Sequence, residues 1–187
     1  MNDFRPLTAL AQESVAASLE PGALAIDATV GNGRDTLFLA SRVAPHGRVA
    51  GFDIQPQALD TARTRLRDGG LADSVTLYPC GHQFMLDRIP RDWHGQVSTV
   101  MFNLGYLPGS DKAVTTLPTT TLQALDQSLV LLRAGGLLSL LIYRGHPGGA
   151  AEAVAVHGWL DRLGVQHRLC THESPGPVLH LIQRSPQ

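Results

Sequence analysis

The sequence predicts a doubly wound α/β domain with a mostly parallel, seven-stranded sheet and an antiparallel C-terminal hairpin. Three features carry that expectation. Short apolar runs alternate with segments of helical period, a glycine-rich turn follows the first run, and no helix separates the last two runs. Alternation of this kind requires crossover connections, which place parallel strands side by side and cover both faces of the sheet.

Residues before Pro21 form a short amphipathic helix expected to pack on the sheet. Ala23–Ile26 reads as a buried strand, followed by the glycine turn and a helix from about Arg34 to Val43. Arg48–Phe52 is the second strand. The helix after it opens at Pro56, a residue suited to the first helical position, and runs to about Arg67. Val75–Tyr78 and Val97–Phe102 are the third and fourth strands. A helix from about Thr119 to Arg133 carries Leu122, Leu125, Leu129 and Leu132 on one stripe, with Gly135 placed to end it. Leu137–Ile142, a helix over Ala150–Leu163, and the strands Val165–Cys170 and Val178–Gln183 complete the order. The last two are joined across Pro175-Gly176-Pro177.

At 187 residues the chain suits one domain, read here as residues 1–187. A hydrophobic share of 43% with 17% charged residues supplies a real core and excludes a disordered or collagenous chain. Fifteen basic residues stand against sixteen acidic ones, a formal charge of −1 that argues against coating nucleic acid by bulk charge. Cys80 and Cys170 have no CxxC spacing and read as two thiols in a reducing cytoplasm. The longest apolar run, Leu137–Ile142, is too short to span a bilayer, and Met1–Leu19 lacks the pattern of a secretory leader. No membrane association is expected, and the histidine spacing suggests no metal site.

Asp27-Ala28-Thr29-Val30-Gly31-Asn32-Gly33 lies where the first strand gives way to a helix, the place at which open α/β sheets bind ligands. Asp53 ends the second strand 22 residues after Gly31, a spacing suited to a carboxylate that accepts from ribose hydroxyls. Alone, this pair fits either a dinucleotide or an adenosine-bearing sulfonium. Thr36 stands where a dinucleotide loop wants its third glycine, and Asp27 would repel a pyrophosphate while suiting a ligand with an amino group. The plain alternative is a strand-to-helix turn capped by Asp27.

Asp27 to Thr36, with Gly51 to Gln55, resembles the first two motifs of class I S-adenosylmethionine-dependent methyltransferases. Met101 to Lys112, Thr115-Thr116, Thr119 to Thr121 and Tyr143 to Gly149 resemble, more narrowly, a small bacterial family labelled rRNA methylase. Members of that family methylate the 5-aminomethyl group of the wobble uridine in certain tRNAs. The resemblance implies a Rossmann-like class I methyltransferase fold and S-adenosylmethionine as cofactor. It places the cofactor against Asp27, Thr29, Gly31, Asn32, Gly33, Asp35, Thr36, Asp53, Gln55, His82 and Asn103. It further implies tRNA as partner, bound through its anticodon region, with Gly105, Tyr106, Lys112 and Arg144 on the substrate. Asn103, Tyr106 and His146 are the catalytic candidates.

Fifteen residues, Leu104 to Pro118, separate the fourth strand from its helix and read as a substrate clamp or, more plainly, a solvent loop. Asn103 followed by Tyr106 resembles the Asn-Pro-Pro-Tyr element of amino-group methyltransferases, with Leu104-Gly105 replacing the prolines. His82 reads equally as a cofactor contact or a helix-starting residue, His146 as a substrate ligand, a proton acceptor or a structural group, and Glu152 as a partner of a helix dipole. If RNA binds, basic residues are expected near the Asn103–Lys112 edge, and a homodimer stays open. Competing readings are methylation of rRNA or of a small amine, a nicotinamide dehydrogenase on the same sheet, and a non-enzymatic nucleoside- or RNA-binding module.

Overall fold

The computed structural model describes residues 5–107, 115–164, 167–171 and 176–185. Within them a seven-stranded sheet has the order β3-β2-β1-β4-β5-β7-β6. Its strands are β1 (Leu24–Asp27), β2 (Arg48–Phe52), β3 (Val75–Tyr78), β4 (Val97–Leu104), β5 (Leu132–Ile142), β6 (His167–Thr171) and β7 (Val178–Gln183). The helices are α1 (Leu7–Ala16), α2 (Arg34–Val43), α3 (Pro56–Asp68), the single turn α4 (Met85–Arg88), α5 (Pro118–Leu131) and α6 (Gly149–Leu163). Strands β1 to β5 run parallel to one another, while β7 pairs antiparallel with both β5 and β6. The expected edge hairpin is therefore present, although its turn lies partly outside the described residues.

Two apolar layers follow from the period of two along each strand. Ile26, Val100, Phe102, Leu138 and Leu140 pack against α5 and α6, where Ala124, Leu125, Val156 and Trp159 close the layer. Ala25, Val49, Met101, Leu141 and Leu179 face the other way, onto Leu7, Ala11 and Val15 of α1 and Leu39, Ala40 and Val43 of α2. The N-terminal helix thus contributes Leu7, Ala11 and Val15 to this layer. Alternation also decides the site: Asp27 and Asn103 share the phase of Ala25 and Met101, and so turn toward α1 and α2.

Two differences from the sequence reading have physical causes. The buried face of α5 is Thr121, Ala124, Leu125, Ser128 and Leu131, while Leu122 and Leu129 are only half-buried. Small residues let α5 lie close to the sheet, and the Thr121 hydroxyl has a buried partner, Glu152. The helix also stops at Leu131, because extended Leu132 already pairs with Val97. Pairing resumes at Thr99 and Leu137, and Gly135, at φ 72°, turns the chain in the bulge between these pairs rather than capping the helix.

His180 on β7 is fully buried, with both ring nitrogens lacking a hydrogen-bond partner among the described residues. Its ring lies 4.9 Å from that of His157 and 5.1 Å from that of His167. Burial, reinforced by His157 and His167, pushes its pKa down to about 4 from 6.5. Below pH 6.5 the unfolded chain takes up a proton that the folded chain refuses, so this group costs stability as pH falls from 6.5 toward 4. His180→Leu is expected to remove that cost. The melting temperature of the variant minus that of the wild type should rise by roughly 2–8 °C between about pH 7.5 and 5. Groups common to both proteins cancel in this difference, and a constant difference across the range would contradict the assignment.

Candidate active site

A cavity of about 570 Å³ opens beyond the carboxyl ends of the parallel strands, a size in the range of small-molecule sites. Strand order reverses between β1 and β4, so the cavity sits at the topological switch point. Thr29, Gly31 and Asn32 line it after β1, Asp53, Ile54 and Gln55 after β2, and Gly81, His82 and Gln83 after β3. Asn103, Gly105, Tyr106 and Leu107 line it at the end of β4, and Tyr143 beyond β5.

Asp53 holds the turn after β1 and keeps acceptor capacity for a ligand. Its Oδ2 accepts from the Gly31 N–H at 2.8 Å, and its Oδ1 accepts from the Gln55 N–H at 2.9 Å. Each carboxylate oxygen has a second lone pair. Gly33 carries a φ of 71°, and a side chain there would meet the Cα of Ala62 at 2.7 Å, so α3 packs directly over the turn. Arg65 of α3 adds a hydrogen bond from Nε to the Asn32 carbonyl at 2.9 Å. Sequence reasoning left Arg65 aside, since a helix-surface arginine carries no local signal of such a contact.

Asp27, expected to face a ligand's amino group, is instead fully buried and outside the cavity lining. Its Oδ2 accepts from the Thr36 hydroxyl at 2.6 Å and its Oδ1 from the Thr29 N–H at 3.1 Å. Burial, with Asp35 nearby, pushes its pKa up to about 7. Thr36 is buried with it, and Gly33 likewise stands behind the lining.

The carboxylate that reaches the cavity is Asp35, in the first turn of α2. Its Oδ2 accepts from Asn103 Nδ2 at 2.6 Å, and its Oδ1 from Gln12 Nε2 of α1 at 2.6 Å. The Asn103 backbone N–H donates to Thr29 Oγ1 at 2.7 Å. An ionised carboxylate only accepts, so Asn103 turns its NH₂ toward Asp35 and keeps its carbonyl oxygen for another partner. Gln12 and Thr8, another lining residue, were missed because an N-terminal helix reads as packing alone.

His82 is buried at the cavity wall, its Nδ1–H donating to the Ala28 carbonyl at 3.3 Å. Burial pushes its pKa down to about 4, so at neutral pH Nε2 is left as an acceptor. It also starts a short 3₁₀ turn, as the helix-starting reading expects.

His146 and Arg144 do not line the cavity. His146 is buried behind Tyr106, the two rings 5.7 Å apart and edge to face. Its Nδ1 lies 3.0 Å from the Pro147 carbonyl and 3.4 Å from Thr115 Oγ1. Arg144 donates from Nε to the Gly176 carbonyl at 2.8 Å, and Lys112 lies outside the described residues.

The loop after β4 is tied at its base. Tyr106 and Thr115 form an antiparallel bridge, and the Thr116 N–H donates to the Gly105 carbonyl at 3.0 Å. Glu152, expected as a dipole partner, lies in the first turn of α6 but is fully buried. It accepts from the Thr116 and Thr121 hydroxyls at 2.6 Å each, which fastens the loop to α5 and α6. Among the charged side chains of the described lining, the carboxylates Asp35 and Asp53 outnumber the one guanidinium, that of exposed Arg34, and Asp27 is buried outside the lining. The expected gathering of basic residues is therefore not seen among the described lining residues. Such a site favours a cationic ligand over a pyrophosphate.

The sequence model of the family described as "Putative rRNA methylase" matches residues 49–175. A chloroplast protein of Arabidopsis thaliana named tRNA (mnm(5)s(2)U34)-methyltransferase is 37% identical over 160 residues, 81% of this chain and 58% of that relative. The chain thus spans a little over half of that relative's length. A crystal structure described as a "putative rRNA-methylase" from Clostridium thermocellum superposes with a TM-score of 0.89 at 36% identity, covering 97% of this chain and 98% of the other. A "putative methyltransferase" from Streptococcus mutans, solved in complex with SAH, has a TM-score of 0.85 at 31% identity and covers 97% and 99%. With the sheet order and the cavity at its switch point, these matches show that the chain belongs to the rRNA methylase family of class I S-adenosylmethionine-dependent methyltransferases.

Proposed function

We propose that this chain methylates the 5-aminomethyl group of the wobble uridine in tRNA, giving 5-methylaminomethyluridine, with S-adenosylmethionine as donor. The observation that carries the amine reading is Asn103, whose carbonyl oxygen remains as an acceptor at the cavity once its NH₂ is given to Asp35. The choice of tRNA rests on the Arabidopsis relative.

The residues present fit the donor. Its adenosine and methionine parts need a cavity of this volume, its ribose hydroxyls suit the open lone pairs of Asp53, and its positive sulfonium suits a lining that holds the Asp35 and Asp53 carboxylates. When bound, S-adenosylmethionine supplies an electrophilic methyl group, the electrons of its C–S bond passing to a neutral thioether as the new N–C bond forms. Asp53 and Gln55 would hold its ribose end, and His82 and its neighbours would flank its base. Asn103 Oδ1 accepts one N–H of the incoming amine and thereby aims the nitrogen lone pair. An aliphatic ammonium has a pKa of about 10.4, so its excess proton goes to water at the open mouth before attack. Tyr106, backed by His146, packs against the uracil. Positioning of this kind is worth up to ~7–11 kcal/mol of the barrier.

Bulk tRNA incubated with the protein and a labelled methyl donor, then digested to nucleosides, should carry the label in 5-methylaminomethyluridine by mass spectrometry. Label in ribosomal RNA bases or in small amines instead would overturn the substrate assignment. Asn103→Ala should lower single-turnover methyl transfer by ~10²-fold, on the scale of one lost transition-state donor or acceptor. Binding of S-adenosylhomocysteine should change much less, and equal losses of turnover and binding would refute the role given to Asn103.

A further inference from the structure

We propose that Gln12, on the N-terminal helix α1, is a positioning residue for methyl transfer that acts through Asp35 on Asn103. This rests on the amine-methylation reading above. Two side-chain amides from different elements converge on one carboxylate: Gln12 Nε2 on Oδ1 and Asn103 Nδ2 on Oδ2, each at 2.6 Å. The three groups are 23 and 68 residues apart along the chain, and no local turn geometry brings them together.

The consequence is orientational. A primary amide offers a donor end and an acceptor end of nearly equal size, and only its partners choose between them. Asp35 chooses for Asn103, because a carboxylate accepts and does not donate. Asp35 is itself a short, half-buried side chain at the exposed start of α2, and Gln12 holds its second oxygen. Without that hold, Asp35 rotates toward water and Asn103 is free to present its NH₂ to the cavity. An NH₂ meets the N–H groups of an amine as donor against donor. Gln12 therefore sustains the acceptor face that selects an N–H-bearing nucleophile, although it touches neither substrate nor cofactor.

Gln12→Glu tests this with a readout that packing alone would not move. Above the carboxylate range the introduced carboxylate and Asp35 repel each other. On acidification they share one proton, and an O–H donated to Asp35 rebuilds the missing bond. Of the other ionisable groups nearby, Asp27 and Tyr143 interact electrostatically with Asp35, Asp53 and Arg34 line the same cavity, and Arg5 and Glu13 on α1 pair with each other at 3.3 Å. All are common to variant and wild type, so the rates are compared as a ratio at each pH.

The full chain is assayed in single turnover on an anticodon stem-loop carrying 5-aminomethyluridine, from about pH 8 to 5.5. At pH 8 the Gln12→Glu rate should be ~10-fold below wild type, the size of one charge-assisted hydrogen bond. The ratio should recover most of that loss by pH 5.5, while affinity for S-adenosylhomocysteine stays within ~2-fold of wild type. Gln12→Ala should lose a similar factor at every pH. Recovery within one sample shows that the variant is folded. A flat Gln12→Glu ratio, or full activity at pH 8, overturns the proposal while wild-type activity leaves the functional reading standing. Wild-type inactivity on this stem-loop overturns the functional reading and the proposal with it.

Discussion

A carboxylate fully buried at the end of a central strand must take its hydrogen bonds from the protein, and Asp27 takes them from the Thr36 hydroxyl and the Thr29 N–H. Those two bonds tie β1, the turn after it and the first turn of α2 into one piece. Much else at the open end of the sheet is placed by that tie. Thr36 is held down, so its neighbour Asp35 stands up into the cavity. The Thr29 hydroxyl, fixed in the same turn, accepts the Asn103 N–H and sets the end of β4 against the end of β1. A charged group buried without such partners would cost several kcal/mol. Burial, with Asp35 nearby, still holds the Asp27 pKa up at about 7 despite those two bonds.

The same arrangement gives the cavity its electrical character. Asp35 and Asp53 face the ligand space, so the strand ends present carboxylates where dinucleotide-binding folds present amide N–H groups to phosphate. A sulfonium is suited to such surroundings. The near-neutral charge of the whole chain, −1, conceals this local imbalance. On the functional reading proposed above, RNA affinity would come from a few contacts around one captured base rather than from a basic field.

The strands were legible because apolar runs of four to six residues between turn signals leave few alternatives, and several boundaries coincide with those in the structure. The glycine turn and Asp53 were legible for a different reason: their spacing is a requirement of nucleoside binding, and the family resemblance sharpened it. What the sequence concealed were contacts between elements far apart in the chain. Nothing near Gln12 signals that α1 delivers an amide to Asp35. Nothing near Glu152 reveals that its helix start is buried under two threonine hydroxyls from the far side of a long loop. The leucines of α5 misled for a related reason. Close approach of that helix favoured Thr121, Ala124 and Ser128 at its centre, and pattern counting ranks small residues below leucine. Asp27 was placed at the correct strand end, but its contact with the Thr36 hydroxyl of α2, nine residues on, was needed to see that it points beneath the cavity.

The central claim is that the end of β4 presents a hydrogen-bond acceptor to an amine nucleophile. It is tested most directly by single-turnover methyl transfer to two synthetic anticodon stem-loops, identical except that one carries 5-aminomethyluridine at the wobble position and the other plain uridine. Transfer confined to the aminomethyl nitrogen is the expected result. Equal transfer to both, or transfer to any ring position of the plain stem-loop, would contradict it.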